Sequence, residues 1–198
     1  MLSTALGLGV AMGVSPYATV ALLGLAYRIG WIEQLPALVV GVGETWVIVL
    51  AAVLTFIEFF ATLVPGVASA WEAVHAIIRP PAAAALAVLV MWGGDPALVL
   101  TAGLLAGTLA FGTTLTKLGA RLAIDTSPEP VSNGVANFGE LTFVALIAIF
   151  VWQHPVIALV LALAIVATLA LLVRAVWGLI WKSVGRARRR PGVAGLRS

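Results

Sequence analysis

The chain has 198 residues, 62% of them apolar and 10% charged, whereas ordinary soluble domains are roughly half apolar and a quarter charged. This excludes a soluble globular domain, a disordered tail and a nucleic-acid module, and points to an all-α integral membrane protein. The net charge of +3 describes the C-terminal end: Lys182, Arg186, Arg188, Arg189, Arg190 and Arg197 all lie there, and the rest of the chain is acidic.

Runs of about 20 apolar residues, the length that crosses hydrocarbon, begin with Leu2–Tyr27. No Lys or Arg precedes Arg28, so this run reads as a retained span and not a cleaved leader. Inside it Gly13-Val14-Ser15-Pro16 predicts a kinked or broken helix, because proline lacks the N–H that continues the ladder. Broken helices at membrane depth expose backbone groups and mark transporter sites, which makes Ser15 and Pro16 candidates; a packing kink is the plainer alternative.

The second run, Trp46–Val64, carries Glu58 about twelve residues in, near the midplane at ~1.5 Å per residue. A carboxyl there costs on the order of 3 kcal/mol by insertion scales and faces the bundle interior or a wet cavity. The alternative is a protonated acid acting as packing glue through Thr55 or Thr62. Next, Ser69-Ala70-Trp71-Glu72 has the form of a capping box. It predicts a short amphipathic helix to Arg79 in the cytoplasmic interface, with Trp71, Val74 and Ile78 on one side and Glu72, His75 and Arg79 on the other. The third run, Pro81–Trp92, is short for a span.

Asp95-Pro96 caps the fourth run, Ala97–Leu118. Continued as a helix, that run carries Lys117, Arg121 and Asp125 at i, i+4 and i+8 with Thr113 one turn earlier. Snorkelling to headgroups explains the cations most simply; a cationic entrance for phosphate or carboxylate, with Arg121 held by Asp125, is the alternative. Ser127-Pro128 caps the fifth run, Asn133–Trp152, where Asn133, Asn137 and Glu140 form a polar stripe at i, i+4 and i+7. Asn137-Phe138-Gly139-Glu140 could instead be a capping box that starts the helix later. The sixth run is Val156–Trp181, after which residues 182–198 form a basic tail suited to anionic lipids. Residues 1–181 read as one transmembrane helical domain.

With six spans and both termini inside, ten of the eleven cations fall on the cytoplasmic side and Arg28 alone outside, as positive-inside topology requires. All seven tryptophans then fall at an interface. Gly9-x-x-x-Gly13 and Gly103-x-x-x-Gly107 mark close helix contacts, internal or between protomers in a homo-oligomer or larger membrane complex. Each half opens with a glycine-rich helix followed by one deep glutamate, Glu58 or Glu140, which suggests a 3+3 inverted repeat. No His-x-x-x-His pair, phosphate loop or cysteine occurs, so no metal or cofactor is expected.

Ser127-Pro128-Glu129-Pro130-Val131-Ser132-Asn133 resembles an uncharacterised group of bacterial integral-membrane proteins, domain-of-unknown-function family 4126. The early Gly-x-Ser-Pro, Glu58-Phe59 before Pro65-Gly66, Arg79-Pro80 and Lys117-x-Gly119-x-Arg121 occur in the order expected of that group. The chain departs from it at Ala61-Thr62-Leu63-Val64, where polar residues are expected. The resemblance implies a multi-pass protein of the bacterial cytoplasmic membrane and carries no activity. The function expected from the residues is a small secondary transporter or permeation protein using Glu58 and Glu140. The alternatives are a non-catalytic scaffold or accessory subunit, and an enzyme or flippase acting on lipid phosphate through Lys117 and Arg121.

Overall fold

The computed structural model describes residues 1–64, 66–125 and 130–188, without side chains at 123, 125, 130–132, 169, 176 and 179–188. Its elements are helices: α1 (Leu2–Val14), α2 (Pro16–Arg28), α3 (Thr45–Ala61), α4 (Val67–Val90), α5 (Pro96–Asp125), α6 (Pro130–Gln153) and α7 (Pro155–Arg188), with one 3-10 turn at Val40–Gly43. Among the described residues four stretches are long and apolar enough to cross a membrane: Val67–Val90, Pro96–Leu122, Asn133–Gln153 and Pro155–Ala175. Helices α1 and α3 are apolar but shorter, at 13 and 17 residues.

The arrangement is inside-out relative to a water-soluble protein. Trp46, Val49, Val53, Phe56 and Phe60 line the outward face of α3, and Val156, Val160, Leu171 and Leu172 lie outward on α7, while most of the described charged residues from α3 to α6 point inward. Lipid tolerates exposed hydrocarbon and penalises exposed charge, so this is the stable partition for a bundle in a bilayer. The central post is α1, apolar all round, with ten of its 13 residues buried against α4, α5, α6 and α7. Its glycines permit this. A Cβ on Gly13 would lie 2.6 Å from the Ala110 carbonyl oxygen and one on Gly9 2.9 Å from the Ala106 Cα, so α1 and α5 touch backbone to backbone. Gly103 and Gly107 face Val88 and Ala84 of α4. Both glycine pairs therefore make contacts inside the chain.

The first run is broken where the Ser-Pro pair predicts. Ser15 is extended at φ −150° and ψ 108° and N-caps α2, its hydroxyl accepting from the Ala18 N–H at 3.2 Å, with Pro16 in the first turn. Asp95 caps α5 in the same way, accepting from the N–H groups of Ala97 and Leu98 at 2.9 and 3.1 Å.

Three expectations are corrected. The first run is not a single crossing: α1 runs parallel to α5, with Gly9 on Ala106 and Gly13 on Ala110, and α2 turns back beside α3, with Gly24 on Ile48, so that Gly7 and Gln34 both reach the end of α6 at Val151 and Trp152. The interfacial helix and the short third span are one continuous helix, α4, running through Pro80 and Pro81. Its buried stripe, Ala68, Glu72, His75, Arg79, Ala83, Leu86, Ala87 and Val90, keeps one helical register across the prolines, and packing on α5 outweighs the lost ladder bonds. Glu72 is also no capping residue: the helix starts after Gly66, which adopts φ +83°, and Glu72 turns into the core. Helix α6 begins at Pro130, so Asn137 and Glu140 lie inside it and do not cap a later start. Residues 182–188 of the expected basic tail continue α7, while residues 189–198 and the Ser127-Pro128 cap lie outside the described residues.

Candidate functional site

Each inward stripe changes character along its helix. On α4 the charged residues precede Ala83; on α5 Ala102, Ala106 and Ala110 precede Thr113, Thr114, Lys117 and Arg121; on α6 Asn133, Asn137 and Glu140 precede Val144, Ile147 and Val151. Since α4, α5 and α6 alternate in direction along the chain, the polar halves meet in one layer at one end of the bundle, the end of the α3–α4 and α5–α6 connections. Glu58 joins it from the last turn of α3. It is therefore displaced from the helix middle where counting from Trp46 puts it.

The layer holds three carboxylates and three cations, charge-balanced when all are ionised. Arg79 is fully buried and bridges two helices, meeting Glu72 through Nη1 and Glu58 Oε1 through Nη2, the latter at 2.7 Å. Lys117 Nζ lies 2.9 Å from Glu72 Oε1, 3.0 Å from Glu140 Oε2 and 3.5 Å from Glu58 Oε1, so one ammonium touches all three acids. Arg121 Nη2 lies 2.9 Å from Glu140 Oε1 and donates to Asn137 Oδ1, while its Nη1 donates to Asn133 Oδ1 at 3.3 Å. Asn137 returns a bond from Nδ2 to the Phe59 carbonyl at 2.8 Å and accepts from the Thr62 hydroxyl at 3.0 Å, tying α6 to the end of α3.

The broken helix feeds this layer from the centre. Because the chain leaves the helix at Ser15, whose hydroxyl takes the Ala18 N–H, the last α1 carbonyls are left without ladder donors: Gly13 accepts from the Thr114 hydroxyl at 3.0 Å and Val14 from Lys117 Nζ at 2.8 Å. The negative end of α1 therefore faces an ammonium. At the positive start of α2, the Ser15 hydroxyl donates to Glu58 Oε2. The neighbouring His75 stacks on Trp71 at 4.4 Å between ring centres. Its Nδ1 lies 2.8 Å from the Trp71 carbonyl, which places the imidazole proton there and leaves Nε2 to accept from the Tyr17 hydroxyl at 3.1 Å.

Ser15, Glu58, Lys117, Arg121, Asn133, Asn137 and Glu140 are thus brought together, with Pro16 shaping the break. Lys117 and Arg121, expected at headgroup level, are buried. Asp125 ends α5, and its side chain lies outside those described. Sequence reasoning missed Glu72 and Arg79 as members of this layer. The available signal was the 3- and 4-residue spacing that puts them in register with the alanine stripe beyond Pro81.

Satisfaction is incomplete: the Nε atoms of Arg79 and Arg121 are buried with no hydrogen-bond partner among the described residues. Two cavities adjoin the layer. One of about 30 Å³, room for one or two waters, is lined by Ser15, Glu58, Thr62, Asn137 and Glu140 among others. The other, about 370 Å³, lies among α5, α6 and α7 with Lys117 and Glu140 at its polar end. Glu140 is the one residue common to both linings, and its side chain, 25% exposed, is the most accessible carboxylate of the layer. Among the described residues no cluster of His, Asp or Glu is arranged to hold a metal ion.

Residues 2–175 match a family described as "Domain of unknown function (DUF4126)". No curated protein and no solved structure matches the chain.

Proposed function

The chain belongs to that family, whose description assigns no activity, and from the geometry of its core we propose that it is a small secondary transporter or permeation protein in which Glu140 is the working carboxylate. The observation that carries this reading is that Glu140 alone walls both the small polar cavity and the large one. A carboxylate between two compartments can exchange partners by a change of rotamer. Its pairs with Lys117 and Arg121, with the Arg121 bonds to Asn133 and Asn137, are the polar links between α5 and α6, which otherwise touch little. A proton or substrate cation on Glu140 weakens both pairs at once and loosens α6 against α5, a two-state element of the kind transport needs. Glu58 and Glu72, held by cations on α4 and α5, serve as fixed counter-charges.

In the bilayer we take α3 to α7 as five crossings and α1–α2 as a re-entrant pair whose outer ends both lie at the α6–α7 end of the bundle, since Gly7 meets Val151 and the Gln34 carbonyl beyond α2 accepts from Trp152 Nε1; with the C-terminus in the cytoplasm of a bacterial inner membrane, the N-terminus is then on the opposite face. A second reading, a scaffold or accessory subunit, draws on the pairing of every carboxylate in the layer. The orphaned Nε atoms weigh against it, because a layer selected as glue alone would satisfy its donors or dispense with charge.

Solute flux in reconstituted vesicles, measured across pH, tests the proposal. Glu140→Gln is expected to fold and lose flux, since an amide keeps the shape but cannot ionise, whereas Glu58→Gln should lose stability first. Normal flux in Glu140→Gln refutes the role, and a wild type that moves none of a broad panel of ions and small solutes favours the scaffold.

A further inference from the structure

The larger cavity is within the volume range of small-molecule sites and has their usual make-up, apolar walls with a few convergent polar groups. Its polar groups are Thr113, Thr116, Lys117 and Glu140, and their donor protons are already engaged. The Thr113 hydroxyl donates to the Leu109 carbonyl at 2.8 Å and the Thr116 hydroxyl to the Gly112 carbonyl at 2.9 Å. Lys117 Nζ donates to the Val14 carbonyl at 2.8 Å and is in ionic contact with Glu72 Oε1 and Glu140 Oε2 at 2.9 and 3.0 Å, so two carboxylates already share its charge. The groups facing the cavity with capacity left are therefore acceptors only: two hydroxyl oxygens and the Glu140 carboxylate, each of whose oxygens keeps a lone pair beyond its one ionic contact.

We propose that this cavity binds a single-chain lipophilic amine, with the ammonium on Glu140 and the threonine oxygens and the hydrocarbon part against Phe143, Ile165 and Val166. A carboxylate- or phosphate-headed amphiphile meets an ammonium already neutralised by two carboxylates and is repelled by Glu140. A neutral alcohol forgoes the charge-assisted hydrogen bond. Such an amine is the substrate class of the proposed transport site, and its passage across the membrane rests on the transport reading; occupancy of the cavity is measurable by itself.

The test is the thermal unfolding midpoint of the purified chain in phosphatidylcholine nanodiscs with octylammonium, octanoate or 1-octanol. Octylammonium is expected to raise the wild-type midpoint by roughly 5 °C at a hundredfold excess over its Kd, and the other two to leave it in place. Gly139→Leu is the cavity-filling control, because a Cβ at Gly139, on the cavity wall, meets nothing within 4 Å; Ala136→Leu on the same wall is the second. Both should fold and lose the octylammonium shift, as should Glu140→Gln. An equal shift from all three probes, or a full octylammonium shift in a filled variant, overturns the site. In discs that also contain phosphatidylethanolamine, a reduced octylammonium shift identifies a lipid headgroup as the source of the ammonium, and an unchanged one identifies the free amine. A wild type shifted by octylammonium but carrying no flux keeps the site and removes the transport reading; flux without any amine shift does the reverse.

Discussion

Arg79 is the residue on which the charge layer most depends. It is fully buried and its two terminal nitrogens meet carboxylates from different helices, Glu58 of α3 and Glu72 of its own α4. A buried pair contributes little net stability over an apolar replacement of the same shape, yet removing one partner strands a charge and costs about 3–5 kcal/mol. Arg79→Met should therefore destabilise the chain by about that amount in detergent unfolding. Adding Glu72→Gln, which removes one charge of the opposite sign, should recover part of the loss. Strict additivity of the two single changes would show that the residues do not interact. Arg79→Lys should behave as a partial loss, since an ammonium keeps the charge but cannot reach both carboxylates with a planar fork.

At the scale of elements, the closest contact is α1 on α5, and the two helices predict opposite outcomes for one kind of change. At Gly13 an added methyl would meet the Ala110 carbonyl oxygen at 2.6 Å, so Gly13→Ala forces the backbones apart and should cost about 1–3 kcal/mol. At Gly112, on α5, a Cβ meets nothing within 4 Å, and alanine should stabilise by about 0.5–1 kcal/mol through helix propensity. Comparing both unfolding midpoints checks the contact; a neutral Gly13→Ala would rule it out. Much of this packing was legible in the sequence. The Gly-x-x-x-Gly pairs marked the close contacts, Ser15-Pro16 the break, and Asn133, Asn137 and Glu140 the inward face of α6. The hidden part lay in α4. Pro80-Pro81 reads locally as a helix end, and Ser69-x-x-Glu72 as a start, and both local signals yield to a stripe that packs continuously on α5. Severed from that stripe, Glu72 and Arg79 look solvated. The ion pairs themselves join residues up to 59 positions apart, as between Glu58 and Lys117, and no local pattern encodes such a meeting.

For the whole molecule, burial of the α4 and α5 cations changes the basis of the topology. Arg79, Lys117 and Arg121 counted toward a cytoplasmic excess of ten cations to one when read as loop residues, but inside the bundle they are neutralised one for one by Glu58, Glu72 and Glu140. They no longer bias insertion, because the positive-inside effect acts through cations in loops and span ends. Seven remain on that side, Arg174 and the six from Lys182 to Arg197, against Arg28, which donates to the Gly43 carbonyl at 3.3 Å beside the Val40–Gly43 turn. The excess is still large, so the C-terminus is expected in the cytoplasm, while the N-terminus, at the Val151 end of the bundle, is expected on the other side. The excess now rests almost wholly on the C-terminal cations, and that dependence is a further, sharper expectation. The chain contains no cysteine, so single introduced thiols report without background. A membrane-impermeant maleimide should label Gly41→Cys in intact cells and Ser198→Cys only after permeabilisation. With the six C-terminal cations changed to glutamine, Arg174 and Arg28 stand one against one, and Ser198→Cys should become partly labelled in intact cells as a mixed orientation appears. Labelling of Ser198→Cys in the otherwise unaltered chain would invert the map and place the charge layer toward the outer face. Unchanged protection after neutralising the tail would mean that some feature other than these cations sets the orientation.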